Sequence, residues 1–276
     1  MNEKLKIWQP GKPWKRAERE WDEGAHAMRQ ETPLKTLSTL PKMPGIAETG
    51  LKWKSLKYLV THDHKGLIRR FFVKHPFKYT WRLIASLLRK NSFIREGDFF
   101  FYRLKDMEEF KQRSQETSAL LVIGFSYCHK PFECPSGRFT DACQHAPDHP
   151  VCRQCFIGKA VNALPPQKAI PLFIPTVHYI GEKMFELAQI HSKREILFLI
   201  TACEMTLKMF GDWGNMLALR GIGVRLDGRI CNTMKAFEIS EEGIKPGLTV
   251  VLPETERRIL ELIRQLWPAN EHGGTV

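Results

Sequence analysis

From Ala119 onward, short apolar runs alternate with longer helical stretches, and that alternation constrains the fold more than any other feature of the chain. Ala119 to Tyr127, Ile170 to Ile174, Ile196 to Thr201 and Ile222 to Leu226 read as strands, with a further strand at Val250 to Leu252. Val177 to Ile190, Met205 to Leu219 and Glu254 to Trp267 read as amphipathic helices. Strands alternating with helices predict an α/β fold, a mainly parallel sheet with flanking helices carrying the cysteines. At 276 residues and 43% hydrophobic content the chain can bury such a core, and its composition excludes disordered, collagen-like and coiled-coil architectures.

The part before residue 116 reads differently. Residues 1–50 carry scattered prolines and glycines with Trp8, Trp14 and Trp21 among basic residues, which predicts an irregular N-terminal arm with a short helix over 15–29. Tryptophans in such an arm serve most simply as anchors on its own domain. Residues 51–115 predict a small basic helical region: Leu56, Leu59 and Val60, then Leu67, Ile68, Phe71 and Phe72, then Trp81, Ile84, Ala85 and Leu88 recur at three and four, with Pro76 separating two helices. Gly97 to Leu104 reads as a strand or a domain joint, and Asp106 to Glu116 as a polar connector. The division is therefore 1–50, 51–115 and a cysteine-rich α/β domain at 116–276.

Charge and sulfur follow the same division. Through residue 115 there are 15 lysines and 10 arginines against 13 acids and no cysteine, so the whole net charge of +12 lies there. Beyond it 17 basic residues meet 17 acidic ones, and all seven cysteines occur: Cys128, Cys134, Cys143, Cys152, Cys155, Cys203 and Cys231. A basic front half predicts an anionic partner, whether a membrane surface, RNA or an acidic protein. Its polar positions include Lys52, Lys54, Lys57, Lys65, Arg69, Arg70, Lys74, Lys78, Arg82, Arg89 and Lys90; a solvated face over an ordinary helical core is the simpler account of them. The opening residues have no secretory pattern and no run is long enough for a membrane span, which points to the cytoplasm, with peripheral attachment to a membrane still open.

An odd set of seven cysteines in a reducing compartment fits metal ligands or redox thiols better than disulfides. Cys128 follows the first strand and Cys203 the third, so both belong at the carboxyl edge of the sheet, where ligands gather in such folds. Cys231 follows a turn after Ile222 to Leu226. Cys134, Cys143, Cys152 and Cys155 lie in a long segment rich in Pro, His and Gly, and a loop of that length needs something to order it. Zinc favours paired CxxC knuckles, but only Cys152-Arg153-Gln154-Cys155 has that spacing. A thioredoxin-like dithiol would follow a strand, and buried apolar cysteines would need no partner. An iron-sulfur cluster accommodates dispersed thiolates, and 4Fe-4S is the expected type, with zinc as the alternative. The partition that follows gives Cys134, Cys143, Cys152 and Cys155 one complete cluster. Cys128, Cys203 and Cys231 would hold a second by three thiolates, its fourth ligand coming from His129, Glu204, Asn232, His145, His149 or a small molecule. A division with Cys128 in the loop cluster is the other possibility.

An apolar strand running into Cys128, then Cys134-Pro135, Cys152 and Cys155 followed by Ile157-Gly158, Ala202-Cys203-Glu204 and Cys231-Asn232-Thr233 together resemble the family known as domain of unknown function 116, over about residues 116–240. The resemblance implies a cysteine-rich α/β domain that binds iron-sulfur, without a reaction. The chain departs from that family in having His129-Lys130 where Leu-Arg is usual, and in the wide interval between Cys143 and Cys152. Three functions remain open at this point. One is a redox or small-molecule-activating iron-sulfur protein, another a non-catalytic zinc- or cluster-stabilised module whose basic half binds nucleic acid, membrane or protein, and the third a scaffold that passes a cluster to an acceptor protein. No dinucleotide fingerprint or phosphate loop is present: Gly221-Ile222-Gly223 lacks the third glycine.

Overall fold

The computed structural model describes residues 7–42, 45–74, 76–89, 91–165 and 168–267. The opening residues 1–6, Pro44 and Lys90 lie outside them, as do the side chains of Leu67, Ile68 and Phe71. The front part forms α1 (Trp14–Glu31), α2 (Leu51–Thr61), α3 (Leu67–Lys74) and α4 (Pro76–Leu87). Two short strands follow, β1 (Ile94–Glu96) and β2 (Phe99–Tyr102), then α5 (Met107–Gln115), whose start is capped by Asp106 accepting from Glu109 N. Next come β3 (Ala119–Ser126), α6 (Pro150–Gln154), α7 (Phe156–Asn162), β4 (Ala169–Ile174) and α8 (Val177–Ile190). The chain ends with β5 (Glu195–Cys203), α9 (Glu204–Met216), β6 (Arg220–Gly228), α10 (Met234–Glu241), β7 (Thr249–Val250) and α11 (Pro253–Gln265).

The molecule is mixed α/β with a mostly parallel central sheet and flanking helices. Strand order is β1-β2-β6-β5-β3-β4, and β7 pairs with β6. β4, β3, β5 and β6 are parallel, whereas β2 runs antiparallel to β6 and β1 to β2. The expected boundary at residue 115 falls between β2 and β3, two strands of one sheet. The reason is apolar: all four residues of Phe99–Tyr102 are buried, which only an interior strand position satisfies.

Alternation along the strands splits the core. Phe99, Phe101, Leu121, Ile123, Phe125, Leu197, Leu199 and Ile222 point to one face, where α1, α5, α7 and α11 cover them. Phe100, Tyr102, Val122 and Phe198 point to the other, towards α8 and α9. Trp8, Trp14 and Trp21 are buried in the first core, so the arm is part of the fold. α2 and α4 lie over α9, through Leu51, Tyr58 and Leu59 in one cluster and Leu83 with Leu87 in another. Among the described residues no helix is long and apolar enough to cross a membrane.

Candidate metal centre

β3 lies between β4 and β5, and the chain leaves β3 for β4 on one side before crossing to β5 on the other. The crevice between the carboxyl ends of β3 and β5 is thus a topological switch point, where open α/β sheets bind ligands. Cys128 and Cys203 flank it. β3 ends in a 3-10 turn at Tyr127–His129 whose backbone is fixed by Ser126 Oγ accepting from Cys128 N. Cys203 is the last residue of β5, and Cys231 is buried just beyond β6. All seven cysteines are free thiols.

Cys134, Cys143, Cys152 and Cys155 line one small pocket, with Lys130, His145 and Gly158 also in its wall. Short-range geometry sets two of them. Cys152 sits in α6 and Cys155 caps α7; a Cβ at Gly158 would lie 2.1 Å from Cys152 O, so only glycine lets α7 approach α6 this closely. Backbone amides close to the sulfurs act to lower the thiol pKa values: Ile157 and Gly158 at Cys155, Ala146 at Cys152, and His145 at Cys143. Burial nonetheless pushes the Cys155 thiol up to about 12, the Cys143 thiol up to about 11, and the Cys152 thiol above its ordinary value, with mutual repulsion among the four adding to it. Raised thiol pKa values at Cys143, Cys152 and Cys155 mean that a metal binding there must displace protons.

Lys130 stands in the wall of this pocket with only 1% of its surface exposed. Its Nζ donates to Gly137 O (3.2 Å), Thr140 O (2.9 Å), Thr140 Oγ1 (3.0 Å) and Ala142 O (2.8 Å), and no carboxylate is among these partners. Burial lowers its pKa, and the neighbouring Cys134, Cys143, Asp141 and Cys155 act in the opposite direction. Arg138 is held the same way, donating to Lys130 O, Cys128 O, Lys245 O and Gly247 O. Arg153, inside the CxxC pair, donates to Glu20 O, Trp21 O and Pro147 O and lies over the Trp21 ring at 4.7 Å, which fastens the arm to the loop. Three cations hydrogen-bonded to neutral oxygens surround the cysteines, with carboxylates at longer range: Asp141 for Lys130, Glu133 for Arg138, and Glu20 and Asp22 for Arg153. An anionic metal-thiolate centre would be a nearer counter-charge.

Cys128, Cys203 and Cys231 are the three remaining cysteines. Thr206 Oγ1 is 3.0 Å from Cys203 Sγ, while Cys231 Sγ lies 3.2 Å from Lys245 Nζ and 3.5 Å from Ala236 O. The Cys203 thiol and the Lys245 ammonium hold Cys231 well below the ordinary thiol range, while Cys203 is driven up as the protonated member of the pair. Burial raises the pKa of Cys128, which Lys245 and Cys231 also influence; the thiol packs against the first core, as Cys143 and Cys155 do, whereas Cys203 and Cys231 pack in a separate cluster. The Arg138 guanidinium ties the carbonyls of Cys128 and Lys130 together.

The expected fourth ligands separate. His145 lines the loop pocket, its Nδ1 2.9 Å from Cys143 O. His149 Nδ1 caps α6 by accepting from Val151 N, and Glu204 is paired with Lys208 and Arg95. His129 is buried against Phe156 and Phe125 with no partner at Nδ1, and burial pushes it down to about 4. Asn232 accepts from Ala47 N through its carbonyl. Among the described residues no three His, Cys, Asp or Glu side chains meet as the ligands of a single metal ion; the loop thiols ring a pocket instead of converging on a point.

Sequence reasoning missed the cations near the cysteines. Lys130, Arg138, Arg153 and Lys245 belong to the charge-neutral half of the chain, where the balance of 17 against 17 hides them, and only Lys130 and Arg153 are buried. For Lys130, Arg138 and Arg153, closeness to Cys128, Cys134 and Cys152 in the sequence was the available signal. Comparison of the chain with protein-family models, curated proteins and solved structures finds no match.

Proposed function

We propose that the protein is a cytoplasmic iron-sulfur protein of the kind its resemblance to domain of unknown function 116 implies. Cys134, Cys143, Cys152 and Cys155 would hold a 4Fe-4S cluster, and Cys128, Cys203 and Cys231 a second that keeps a position for a small molecule. The observation that carries this reading is the gathering of four loop cysteines around one pocket beside a buried lysine bonded only to neutral oxygens. The donor set fits the group: four thiols around one pocket, with backbone amides nearby and a resident positive charge, suit a negatively charged cluster. Such a cluster supplies one-electron chemistry. The chain's own residues supply its charge balance through Lys130, Arg138 and Lys245, and a proton at Cys203 that Cys231 can share.

The test is iron, zinc and acid-labile sulfide per chain in protein purified without oxygen, with visible spectra before and after dithionite. About eight iron and eight sulfide would match two clusters, and about four of each one cluster. Cys203→Ser with Cys231→Ser is expected to halve the iron. Unchanged iron in that variant would sink the two-cluster reading, and stoichiometric zinc without sulfide would replace it with a structural module.

The anionic partner of the basic half is best read as a membrane surface. Between Asp63 and Glu96 there is no acidic residue and there are nine lysines and arginines. Over the same span Val73, Phe77, Trp81, Ile84 and Leu88 are exposed at intervals of four and three, Phe77 at 90% and Leu88 at 82%. An apolar stripe set among basic residues is the pattern of helices that lie in a lipid interface. Unpaired bases of a nucleic acid would stack on Phe77 and Trp81 but leave Val73, Ile84 and Leu88 unused, whereas a lipid interface takes up all five.

A further inference from the structure

The apolar row on α4 has a basic row beside it. Phe77, Trp81, Ile84 and Leu88 are exposed, and the residues that follow them are Lys78, Arg82, Ala85 and Arg89. Leu88 and Arg89 continue the last turn, Leu88 N donating to Ile84 O and Arg89 N to Ser86 O. At helical spacing the two rows run side by side, and the small Ala85 leaves room between the two arginines. Arg89 is exposed and Arg82 half-buried, and among the described residues neither guanidinium has a hydrogen bond or an ion pair.

Two more arginines come to this row from the amino edge of the parallel sheet. β2 pairs with β6 up to Tyr102 opposite Gly221, so Arg103 leaves β2 where Arg220 opens β6. Arg103 is exposed and has φ 54°, a left-handed backbone that costs a residue with a Cβ. The end of α4 is fixed over the end of β2: Asn215 Nδ2 donates to Ser86 Oγ and Ser92 O, and the Phe93 ring lies 4.8 Å from Phe100 and 6.0 Å from Tyr102. After burial, the charges of Arg220, Arg82 and Arg89 are what lower the Arg103 pKa, and no carboxylate among the described residues acts against them. Glu195 neutralises only Arg220 of the four, at 2.8 Å, and also takes Arg113 at 3.3 Å.

We propose that Arg82, Arg89 and Arg103, with Arg220 adding charge, hold the phosphomonoester head group of a lipid whose acyl chains lie against Phe77, Trp81, Ile84 and Leu88. Guanidiniums gathered without carboxylates repel one another until an anion joins them. A phosphomonoester brings about −1.5 to −2 charge at neutral pH and three acceptor oxygens, more than a diester head group offers. The planar fork of arginine matches those oxygens two at a time. The adjoining apolar row is what a lipid uses and a free phosphate ester leaves bare. This site rests on the reading of α4 as a membrane-binding surface, and it names the lipid that the surface selects.

The full chain is sedimented with phosphatidylcholine vesicles containing phosphatidic acid or phosphatidylserine, matched for surface charge, in about 0.15 M salt to screen long-range attraction. Phosphatidic acid vesicles should bind about fivefold more tightly or better, the effect of one further basic contact at the surface. Arg103→Asn, in which asparagine tolerates the left-handed backbone, should bring the two affinities within about twofold, and so should Arg82→Gln with Arg89→Gln. Lys54→Gln with Lys57→Gln removes as much charge from α2 and should keep the preference. Equal binding of both vesicles by the wild type, or a preference kept in both arginine variants, would overturn the head-group site and leave membrane binding standing. Binding to neither vesicle would remove the membrane reading and the site together. Glycerol 3-phosphate at about 1 mM should not displace the protein from phosphatidic acid vesicles, since it lacks the acyl contacts; displacement would overturn the lipid as the source of the phosphate.

Discussion

A lysine that is 1% exposed donates only to carbonyl and hydroxyl oxygens, with the Asp141 carboxylate acting on it from beyond hydrogen-bond range. Lys130 does two things: it ties down the carbonyls of residues 137, 140 and 142, and it places a positive charge beside the loop thiols. Lys130→Met should leave those carbonyls unsatisfied, at a cost of about 2–4 kcal/mol in denaturant melts, and lower iron retention. Iron content equal to that of the wild type would show that its charge is irrelevant to the centre. Glu241 offers a pH handle near the second set. Its Oε2 accepts from Val177 N at the start of α8, and burial pushes the carboxyl up to about 8, with Cys231 adding to the effect. The folded chain thus holds this proton more tightly than the unfolded chain. Its contribution to stability is full below about 4.5 and is lost as pH rises through about 8. The urea midpoint of metal-free protein should fall over that window, and Glu241→Gln should flatten the fall; equal slopes would remove Glu241 as the cause.

Among the elements, α4 has two apolar faces. Leu83 and Leu87 pack with Met216 and Trp213, while Phe77, Trp81 and Leu88 face outward. A helix with one apolar face needs only its own protein; a second such face asks for another apolar phase. Phe77→Ser with Trp81→Ser should abolish sedimentation with vesicles containing phosphatidylserine while leaving the melting temperature within a few degrees, because neither side chain is buried. Binding to neutral vesicles should be much weaker than to anionic ones. Binding to RNA that falls steeply with salt, with no vesicle binding, would favour nucleic acid instead. Helix positions were legible in the sequence where apolar spacing was sustained: Val177–Ile190 has the bounds that spacing implies, and α3 and α4 meet around Pro76 as the proline demands. Which face of α4 is core was not legible, because Trp81, Ile84 and Leu88 form as good a stripe in sequence as Leu83 and Leu87 form in space.

At the scale of the whole molecule, the parallel sheet brings Cys128, Cys203 and Cys231 from far-apart stretches to one edge, and the long loop after β3 folds back over it. Metal binding and the order of that loop should be linked. Stripping the centre with a chelator should raise amide hydrogen exchange across residues 127–157 and leave β3, β5 and β6 protected, since their order comes from the two apolar cores. Uniform loss of protection would mean that the centre supports the entire fold. By itself the sequence determined the strand and helix alternation, the sheet class and the placing of Cys128 and Cys203 at strand ends, because period and strand order are local or nearly local properties. Only the tertiary structure decided that β2 belongs to the sheet, that Arg138 ties the carbonyls of Cys128 and Lys130 together, that the tryptophan arm is held by Arg153, and that a small apolar cavity lies under α8 and α9. Each of these depends on residues distant in sequence meeting in space, and on whether buried charge and apolar area find partners there, which no local pattern encodes.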